Sequence, residues 1–235
     1  MVTTGSEVLI LAGGLGTRLR TVVNDRPKPL AEVAGRPFIT FLLDQLLRCG
    51  FRRAVLCVGH LGEFVPSVLG ENYGALDLVY SFEQSALGTA GALRNAAGLV
   101  REQNVVAMNG DSFCDLDLRG LEQMHRSYGA PATVSVLHQS DRGRAGALTV
   151  DSSGRVVRFE SRPTDPAPGL INAGIYVLRR DVLDAIPPNR AISLEEELFP
   201  KLAARRELFA WEVEARFIDI GTPESHQAAQ SFFNG

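Results

Sequence analysis

The sequence predicts an α/β fold in which helices cover both faces of a mixed, mainly parallel sheet. Over the first half of the chain, short apolar runs at 8–11, 54–58 and 78–82 alternate with segments of helical periodicity, which is typical of βαβ units. From Pro131 onward, apolar runs follow one another more closely through a turn at 152–154, which predicts antiparallel strands. The length of the chain, 235 residues, fits one large domain.

The composition excludes several classes of protein. The formal net charge is −3, so no general polyanion-binding surface is expected and nucleic acid is not an expected partner. Residues 1–7 lack the basic and apolar regions of a signal peptide, and no apolar run reaches membrane-spanning length, so we expect a cytoplasmic protein without a membrane partner. Cys49, Cys57 and Cys114 lack metal-ligand spacing and lie in apolar patterns, which predicts core residues rather than a disulfide or zinc site.

The first predicted strand, 8–11, leads into a glycine-rich loop. Gly13, Gly14 and Gly16 lack the Cβ atoms that would keep a ligand from the backbone, and they let successive N–H groups turn toward a phosphate. A tight structural turn is the alternative interpretation of the glycines alone. Arg18 follows at once, and with Lys28 it favours a phosphate-binding loop.

Lys28 is the second cation near this loop, and its surroundings restrict it. Pro27 and Pro29 fix the backbone on either side and limit where the ammonium group can point. The chain contains only one other lysine, Lys201, and arginine supplies nearly all of its positive charge. A lysine held between prolines in such a chain indicates a specific role.

Two common nucleotide-binding motifs do not fit the loop. A Walker A loop needs Gly-Lys-Ser/Thr at its end, and the chain has Gly16-Thr17-Arg18 there. A dinucleotide-binding fingerprint needs a third glycine where Leu19 stands and an acid after the second strand, where the chain has Gly59-His60. Neither a P-loop nor a Rossmann-type NAD site is therefore expected.

The segments after the loop are predicted from their spacing. Pro37 at a first helical position begins a packing helix that ends at Gly50, and 63–69 is a short helix. Glu83 follows the third strand, ahead of a glycine-containing turn and a helix that runs to about Gly98. An acid at a strand end before such a turn suits ligand contact, although an exposed loop acid beside a helix cap is the alternative.

The next strand, 105–108, ends in Asn109-Gly110-Asp111. An aspartate just past a central strand, after a glycine that permits close approach, is well placed to hold a hard divalent cation, while a plain turn is the alternative. The helix that follows has an apolar stripe that we expect in the core, formed by Leu118, Leu121, Met124 and Tyr128. His125 beside this stripe is predicted to be a partly buried packing residue.

The second half is predicted to hold strands at 133–138, 147–150, 155–160, 171–178 and 208–213, with a proline-rich loop at 163–169. Ser193 with Glu196 predicts a capping box for a helix through Arg205. Glu195, Glu196 and Glu197 are therefore interpreted as helix-start residues that face the positive end of the helix dipole.

The last predicted strand, 217–220, brings Asp219 in front of Gly221. Thr222 is the predicted N-cap of the last helix, and Pro223 occupies its first position.

These motifs resemble a known family. AGGLGTRL followed by PKPL resembles the signature of sugar-1-phosphate nucleotidyltransferases, and GTRLRTVVNDRPKPL is similar to the branch with D-glycero-D-manno-heptose 1-phosphate guanylyltransferases and GDP-mannose pyrophosphorylases. The resemblance continues, in the family's order, through GRPFITFLLDQLL, YSFEQSALGTAGAL, MNGDSF, INAGIYVL and FIDIGTPESHQAAQ. It implies a Rossmann-like, GT-A-like nucleotide-diphospho-sugar transferase fold without the C-terminal β-helix of some relatives. Within a single domain, 1–130 would be the nucleotide-binding half and 131–235 the sugar-phosphate-binding half.

The resemblance also implies roles for individual residues. Arg18 and Lys28 occupy catalytic positions, and Asp111 and Asp219 occupy those of the ligands to Mg²⁺. The nucleotide-binding positions are Leu11, Ala12, Gly13, Gly14, Gly16, Thr17, Glu83 and Gly88. The sugar-binding positions are Asn109, Gly146, Glu160 and Asn172. The chain departs from the family after Glu160, where relatives commonly have a lysine and this chain has Ser161 and then Arg162.

The implied reaction joins a sugar 1-phosphate to a nucleoside triphosphate and releases pyrophosphate. The nucleophile is an ionised phosphate oxygen, so attack on the α-phosphorus needs alignment and charge neutralisation more than a general base, and no catalytic histidine is expected. We assign Arg18 and the loop amides to the triphosphate and Lys28 to the incoming sugar phosphate. We expect a monomer or a homodimer.

Glu83 favours GTP as the nucleotide. A carboxylate with two acceptor oxygens can take both N1–H and N2–H₂ of guanine, whereas uracil and thymine offer one donor between two carbonyls. The sugar would be D-glycero-D-manno-heptose 1-phosphate or mannose 1-phosphate. The alternatives are uridylyl or another nucleotidyl transfer to a hexose or amino-sugar 1-phosphate, and a non-catalytic nucleotide-sensing module of the same fold.

Overall fold

The computed structural model describes residues 7–14, 16, 19, 26–140, 142, 146–161, 163 and 167–234. Its strands are β1 Glu7–Leu11, β2 Glu32–Val33, β3 Arg36–Pro37, β4 Arg53–Val58, β5 Asn72–Tyr73, β6 Leu76–Phe82, β7 Asn104–Asn109, β8 Ser112–Cys114, β9 Ala132–Gln139, β10 Ala147–Val150, β11 Val156–Glu160, β12 Gly169–Arg179, β13 Leu208–Glu212 and β14 Phe217–Asp219. Its α-helices are α1 Ile39–Arg48, α2 Phe64–Leu69, α3 Gly88–Ala96, α4 Leu118–Tyr128, α5 Arg180–Asp184, α6 Phe199–Ala204 and α7 Pro223–Phe232. No helix in the described ranges is long and apolar enough to cross a membrane.

Most of the strands form one mixed sheet. Its order is β11-β10-β12-β7-β1-β4-β6-β5, and β9 pairs with both β12 and β13. The strands β7, β1, β4 and β6 are parallel, and β12 joins them antiparallel to β7. The parallel first half and the antiparallel second half confirm the fold class expected from the sequence.

Side chains that alternate along the central strands form two separate apolar cores. Val8 and Ile10 of β1 belong to one core, and Leu9 belongs to the other. The first core also receives side chains from α1, α2 and α4, and the second receives them from α3, α5 and α6. Because successive side chains of a strand point to opposite faces, helices cover both faces of the sheet, as the sequence predicts.

The three cysteines differ in burial. Cys57 and Cys114 are buried and free, which confirms that they are core residues, whereas Cys49 is only half-buried at the end of α1. Burial, with a smaller contribution from Asp115, raises the pKa of the Cys114 thiol to about 12. This thiol is therefore protonated and unreactive at neutral pH.

One predicted helix start is wrong, and another helix starts at its predicted N-cap, Ser193, but with irregular first turns. Pro37 does not occupy a first helical position: it pairs with Glu32 in the β2–β3 hairpin, and α1 begins two residues later. The helix predicted from Ser193 through Arg205 begins as a π-type turn, Leu194–Leu198, and continues as α6. Pro200 has no N–H to donate into the ordinary helical ladder, which accounts for the irregular first turns.

The short strands β5 and β8 were not predicted. They contain only two and three residues, too few for the alternation of polar and apolar side chains to be recognised. β8 pairs antiparallel with β14 outside the main sheet. This pairing has a consequence for the site, because β8 and β14 bring the two predicted metal ligands together.

The buried face of α4 differs from the predicted apolar stripe. Leu118 and Leu121 are buried as expected, but Met124 and Tyr128 are only half-buried, and Glu122 and His125 take their places in the interior. His125 is 2% exposed, with Nδ1 2.9 Å from Thr133 Oγ1 and Nε2 3.2 Å from Asn104 Oδ1. The amide oxygen can only accept, so Nε2 carries the proton of a neutral imidazole. His125 is therefore an interior residue, as a packing role requires, but it is fully rather than partly buried.

Burial of His125 makes stability dependent on pH. Desolvation, followed by Arg126 and Arg179, lowers the pKa of His125 from 6.5 to about 4. The unfolded chain binds a proton below pH 6.5 that the native protein excludes, so stability falls as pH falls from 6.5 toward 4, by roughly 2 kcal/mol at pH 5. Urea unfolding of His125→Gln at pH 7.5 and 5 should show a smaller loss than the wild type. The exposed His60→Gln variant should keep the wild-type loss, and an unchanged pH dependence of His125→Gln would contradict this assignment.

Candidate active site

The site lies where β1 and β7 end side by side at the carboxyl edge of the parallel strands. Gly110 N donates to the carbonyl oxygen of Leu11 at 2.9 Å, which joins the ends of the two strands. A Cβ on Gly110 would lie only 2.4 Å from that same oxygen. Only glycine permits this approach, and it leaves the neighbouring Asp111 beside the glycine-rich loop.

Lys28 and Asp111 form the central contact of the site. Lys28 begins a 3₁₀ helix, Lys28–Leu30, and its Nζ lies 2.6 Å from Asp111 Oδ2. The lysine side chain is 13% exposed and the aspartate 41%, so the pair opens to solvent on the carboxylate side. Gly16 has φ +59° and approaches the stem of Lys28, since a Cβ on it would lie 3.3 Å from Lys28 Cβ. The glycine-rich loop and Lys28 therefore meet, as expected.

Asp219 reaches the same place through the pairing of β8 with β14. Asp219 pairs with Ser112, and Ile220 N donates to the carbonyl oxygen of Asp111 at 2.9 Å. The two predicted metal ligands therefore lie at the paired ends of neighbouring strands, one residue out of register. Asp219 Oδ1 accepts hydrogen bonds from Gly221 N at 2.6 Å and Ser225 Oγ at 2.9 Å. A Cβ on Gly221 would lie 2.7 Å from Asp219 Oδ1 and 3.7 Å from Lys28 Nζ, so the three groups converge on one point.

Asp219 is held by the start of α7. Thr222 is the N-cap and Pro223 the first residue of this helix, which confirms both predictions. Ser225, in the same capping box, is the residue that binds Asp219 Oδ1. In the described residues Asp219 Oδ2 has no hydrogen-bond partner. The helix cap thus fixes the carboxylate and leaves one oxygen available to a ligand.

The donor atoms around Lys28 suit a hard divalent cation. Asp111 and Asp219 supply carboxylate oxygens, which Mg²⁺ prefers, and the Lys28 ammonium already occupies a cation's place on Asp111 Oδ2. The residues that the structure describes contain no group of three or more histidine, cysteine or acidic side chains that could enclose a metal. A cation here would complete its coordination with substrate and water oxygens, which is usual for Mg²⁺.

A cavity of about 190 Å³ opens beside the Lys28–Asp111 pair. Its lining consists of Leu11, Gly14, Lys28, Pro29, Thr89, Asn109, Asp111, Tyr176, Ser193, Leu194 and Glu195. The sequence singled out five of these residues: Leu11 and Gly14 from the nucleotide set, Asn109 from the sugar set, and Lys28 and Asp111 as catalytic and metal-binding residues. The cavity therefore joins the two predicted sets at one polar surface.

Glu83 lies against the glycine-rich loop at Gly13. Its Oε2 accepts a hydrogen bond from Leu87 N at 2.9 Å, and its Oε1 lies 2.6 Å from where a Cβ on Gly13 would be. Burial raises the pKa of Glu83, against the lowering effect of the Leu87 N–H. One oxygen is thus already engaged by the protein, so a guanine base that used both oxygens would have to share Oε2 with Leu87.

The glycine at the start of α3 is required by packing. Gly88 has φ +67°, and a Cβ on it would lie 2.6 Å from the carbonyl oxygen of Ile192. Ile192 also accepts from Ala90 N at 2.9 Å, so the segment ahead of the π-type turn lies directly on the helix start. Any larger residue at position 88 would displace this segment, which carries cavity residues.

Three of the four predicted sugar-binding residues lie in the antiparallel half, and the fourth, Asn109, ends β7. Asn172 N donates to the carbonyl oxygen of Gly146 at 2.8 Å, and Glu160 is paired with Ala147 across β10 and β11. Glu160 is 37% exposed and forms an ion pair with Arg158 at 2.5 Å. Among the described residues that line the cavity, neither Gly146, Glu160 nor Asn172 is found. Asn109 is the member of this set that lines it.

Glu195 is a cavity residue that the sequence interpretation missed, as are Thr89 and Tyr176. It does not simply face a helix dipole: its Oε1 accepts a hydrogen bond from Asn172 Nδ2 at 2.6 Å, and it lines the cavity. Burial raises its pKa, with further contributions from Asp111 and Glu196 against the Asn172 hydrogen bond. A glutamate in a first helical turn is so common that no local signal separates it from its neighbours.

The capping interactions of the same turn are only partly as predicted. Glu196 N donates to Ser193 Oγ at 3.1 Å, as a capping box requires. The reciprocal acceptor for Ser193 N is Glu197 Oε1 at 3.3 Å rather than Glu196. Because the turn is of π type, the side chain that reaches back is one residue further along.

Arg18, Thr17 and Arg162 lie outside the residues that the structure describes. The roles assigned to Arg18 and Thr17 therefore remain sequence-based predictions.

The fold and the site together define the class of protein. The chain belongs to the nucleotidyl transferase family, whose profile matches residues 7–234. It is 32% identical over 224 residues to the D-glycero-alpha-D-manno-heptose 1-phosphate guanylyltransferase of Aneurinibacillus thermoaerophilus, which covers 95% of this chain and 96% of that protein. It is 35% identical over 231 residues to the mannose-1-phosphate guanylyltransferase of Mycobacterium tuberculosis, covering 95% of this chain but only 63% of the longer relative.

A solved structure has the same fold over nearly the full length. HddC from Yersinia pseudotuberculosis, crystallised in complex with GMP-PN, superposes with a TM-score of 0.85 and 31% sequence identity, covering 97% of this chain and 100% of that chain. The family resemblance expected from the motifs is therefore confirmed.

Proposed function

We propose that the protein catalyses attack of a sugar 1-phosphate on the α-phosphorus of a nucleoside triphosphate, giving a nucleoside diphosphate sugar and pyrophosphate. The observation that carries the proposal is the Lys28–Asp111 pair, 2.6 Å apart, at the carboxyl edge of the parallel strands and beside Asp219. A cation and two carboxylates at this edge suit phosphate and metal binding. Domain halves at about 1–130 and 131–235 would supply the nucleotide and sugar sides.

The assigned residues would act by position and charge. The incoming phosphate oxygen is already ionised, so it forms the new P–O bond without losing a proton, and the bond from the α-phosphorus to pyrophosphate breaks. Lys28 would neutralise and orient the sugar phosphate, after exchanging Asp111 for it. Arg18 and the loop amides would hold the triphosphate and the departing pyrophosphate. No proton has to be removed from the nucleophile, so the reaction needs no general base.

Asp111 and Asp219 would hold Mg²⁺. The ion would supply neutralisation of the charge on the α-phosphate. Ser225 and Gly221 occupy Oδ1 of Asp219, so its Oδ2 would be the ligand atom. The Lys28 ammonium would be displaced from Asp111 when the substrates and the ion enter, which frees it for the sugar phosphate.

GTP is the proposed nucleotide and a manno-configured sugar 1-phosphate the proposed acceptor. Both named relatives are guanylyltransferases, one for mannose 1-phosphate and one for the heptose phosphate, and HddC was crystallised with GMP-PN. Glu83 supports guanine, because its free Oε1 beside Gly13 can accept from the guanine edge while Oε2 stays on Leu87.

The nucleotide preference should depend on Glu83. Glu83→Gln keeps a carbonyl oxygen for Leu87 N but presents an amide where guanine would meet an acceptor, so GTP should lose roughly 5- to 100-fold in kcat/KM relative to UTP. Competition between equal GTP and UTP measures this ratio. Glu71→Gln, which changes an exposed acid, should leave it unchanged. A Glu83→Gln variant with wild-type discrimination would remove Glu83 from base recognition.

A substrate panel tests the proposal as a whole. Pyrophosphate release should be measured with GTP, UTP, dTTP and ATP against mannose, D-glycero-D-manno-heptose, glucose and N-acetylglucosamine 1-phosphates. The highest kcat/KM is expected with GTP and one of the manno-configured sugars. A preference for UTP and a hexose or amino sugar would support the alternative nucleotidyl transfer. Nucleotide binding without release from any pair would support a non-catalytic sensing module.

A further inference from the structure

Four polar side chains form a connected network beside the cavity. Asn172 Nδ2 donates to Glu195 Oε1 at 2.6 Å and to Tyr176 Oη at 2.8 Å. Tyr176 Oη in turn donates to Asn109 Oδ1 at 3.4 Å. Glu195, Tyr176 and Asn109 line the cavity, whereas Asn172 lies behind them. Glu195, Tyr176 and Asn109 are therefore accessible from the cavity, and the buried Asn172 holds Glu195 and Tyr176 in place.

Asn172, the residue expected to contact the sugar, has no hydrogen left to donate. Its two amide hydrogens are used by Glu195 and Tyr176, and its Oδ1 accepts from Gly174 N at 2.9 Å. A side-chain amide has only two donors, and this one is 6% exposed. Asn172 is consequently bound to the protein at both ends of its amide.

Glu195 has the complementary property. Its Oε1 is held by Asn172, but within the described ranges its Oε2 has no hydrogen-bond partner. An ionised carboxylate accepts up to four hydrogen bonds, and a half-buried one is stabilised by any donor that reaches it. Neighbouring Asp111 adds negative charge, which disfavours a second anion at this spot. Oε2 therefore fits a hydrogen-bond donor, and the donors that a sugar 1-phosphate supplies are its hydroxyl groups.

We infer that Glu195, held in place by Asn172, is the carboxylate that accepts a hydrogen bond from a hydroxyl of the sugar 1-phosphate and so determines sugar specificity. The inference rests on the proposed function. Lys28 lines the same cavity and binds the phosphate end of the sugar, so the hydroxyl-bearing ring would extend toward Glu195. Glu195 contacts the substrate in this account, and Asn172 is a positioning residue.

Removing one hydroxyl at a time from the sugar tests the contact. The best sugar 1-phosphate from the substrate panel is compared with analogues that each lack one hydroxyl, using the wild type and Glu195→Gln. The wild type should lose about 10- to 100-fold in kcat/KM for the analogue that lacks the contacted hydroxyl. In Glu195→Gln that penalty should shrink at least several-fold at one position only. A Glu195→Gln variant with the full penalty at every hydroxyl would overturn the inference.

Three controls separate contact from structural damage. Glu196→Gln removes the adjacent exposed charge and should keep every wild-type penalty. The KM of Glu195→Gln for the nucleotide should stay within about two-fold of the wild type, since its nucleotide side is intact. The third control uses analogues of the nucleotide that lack a ribose hydroxyl. If Glu195→Gln reduced the penalty for one of these analogues and not for a sugar analogue, Glu195 would contact the ribose, contrary to the inference.

Asn172→Ala distinguishes positioning from direct contact. If Asn172 acts through Glu195, this variant should weaken discrimination at the same hydroxyl as Glu195→Gln, and the double variant should discriminate no worse than Glu195→Gln alone. Loss of discrimination at a different hydroxyl would show direct contact by Asn172 and overturn its assignment as a positioning residue. A wild type that uses no sugar 1-phosphate at all would contradict the proposed function itself, which these hydroxyl comparisons presuppose.

Discussion

Lys28→Ala should lower kcat by about 100- to 1000-fold and raise the KM for the sugar phosphate. Among the described residues that line the cavity, Lys28 is the one with a positive charge. Its ammonium group would meet a phosphate charge that persists through the reaction, so its loss should weaken both substrate binding and stabilisation of the transition state. Steady-state pyrophosphate release over a range of both substrates measures the two effects. The KM for the nucleotide should change far less, because Arg18 and the loop amides are assigned to that substrate.

The chain offers a matched control for this variant. Lys201 is the only other lysine, it is exposed on α6, and its Nζ lies 3.8 Å from Glu197 Oε2. Lys201→Ala removes the same charge from the surface and should leave kcat and both KM values within about two-fold. Near-normal turnover by Lys28→Ala would show that the Lys28–Asp111 ion pair is structural only.

Asp111→Asn should lower turnover by at least about 100-fold and raise the Mg²⁺ concentration needed for half-maximal activity. The amide is nearly the same size but carries no charge, so it is a poor ligand for a hard cation. It also leaves the Lys28 ammonium without its partner, which would favour Lys28 binding to any phosphate present. The loss should therefore be expressed mainly in metal dependence rather than in sugar-phosphate KM.

Asp115→Asn is the corresponding control. Asp115 lies four residues away, is 46% exposed, and forms a surface ion pair with Arg48 at 2.9 Å. Its replacement should leave the Mg²⁺ titration unchanged. If Asp111→Asn had wild-type metal dependence while Asp219→Asn did not, a single carboxylate would be sufficient to hold the ion.

The sequence predicts most of the site because glycine and proline constrain the backbone locally. Gly110 allows Asp111 to approach β1, and Pro27 and Pro29 restrict the backbone around Lys28, so each residue could be assigned from its neighbours. Thr222 and Pro223 similarly identify the start of α7, which holds Asp219. Where short-range rules determine the conformation, the expected and the observed backbone arrangements agree.

Residues whose environment is set by distant segments could not be assigned in this way. Glu195 is held at the cavity by a hydrogen bond from Asn172, 23 positions earlier. His125 is buried with both ring nitrogens in hydrogen bonds to Thr133 and Asn104. Asn172 was assigned to the sugar because it is polar and follows the family pattern, but its hydrogen bonds are used within the protein. Periodicity and spacing contain no information about such long-range pairs.

The central claim is that the sugar phosphate oxygen attacks the α-phosphorus of the nucleotide. It is tested most directly by giving the wild type GTP and a manno-configured sugar 1-phosphate whose non-bridging phosphate oxygens are ¹⁸O, and by locating the label in the products by mass spectrometry. The account predicts a GDP-sugar that retains all of the label and pyrophosphate that contains none. Label in the pyrophosphate, or hydrolysis of GTP without any nucleotide sugar, would contradict it.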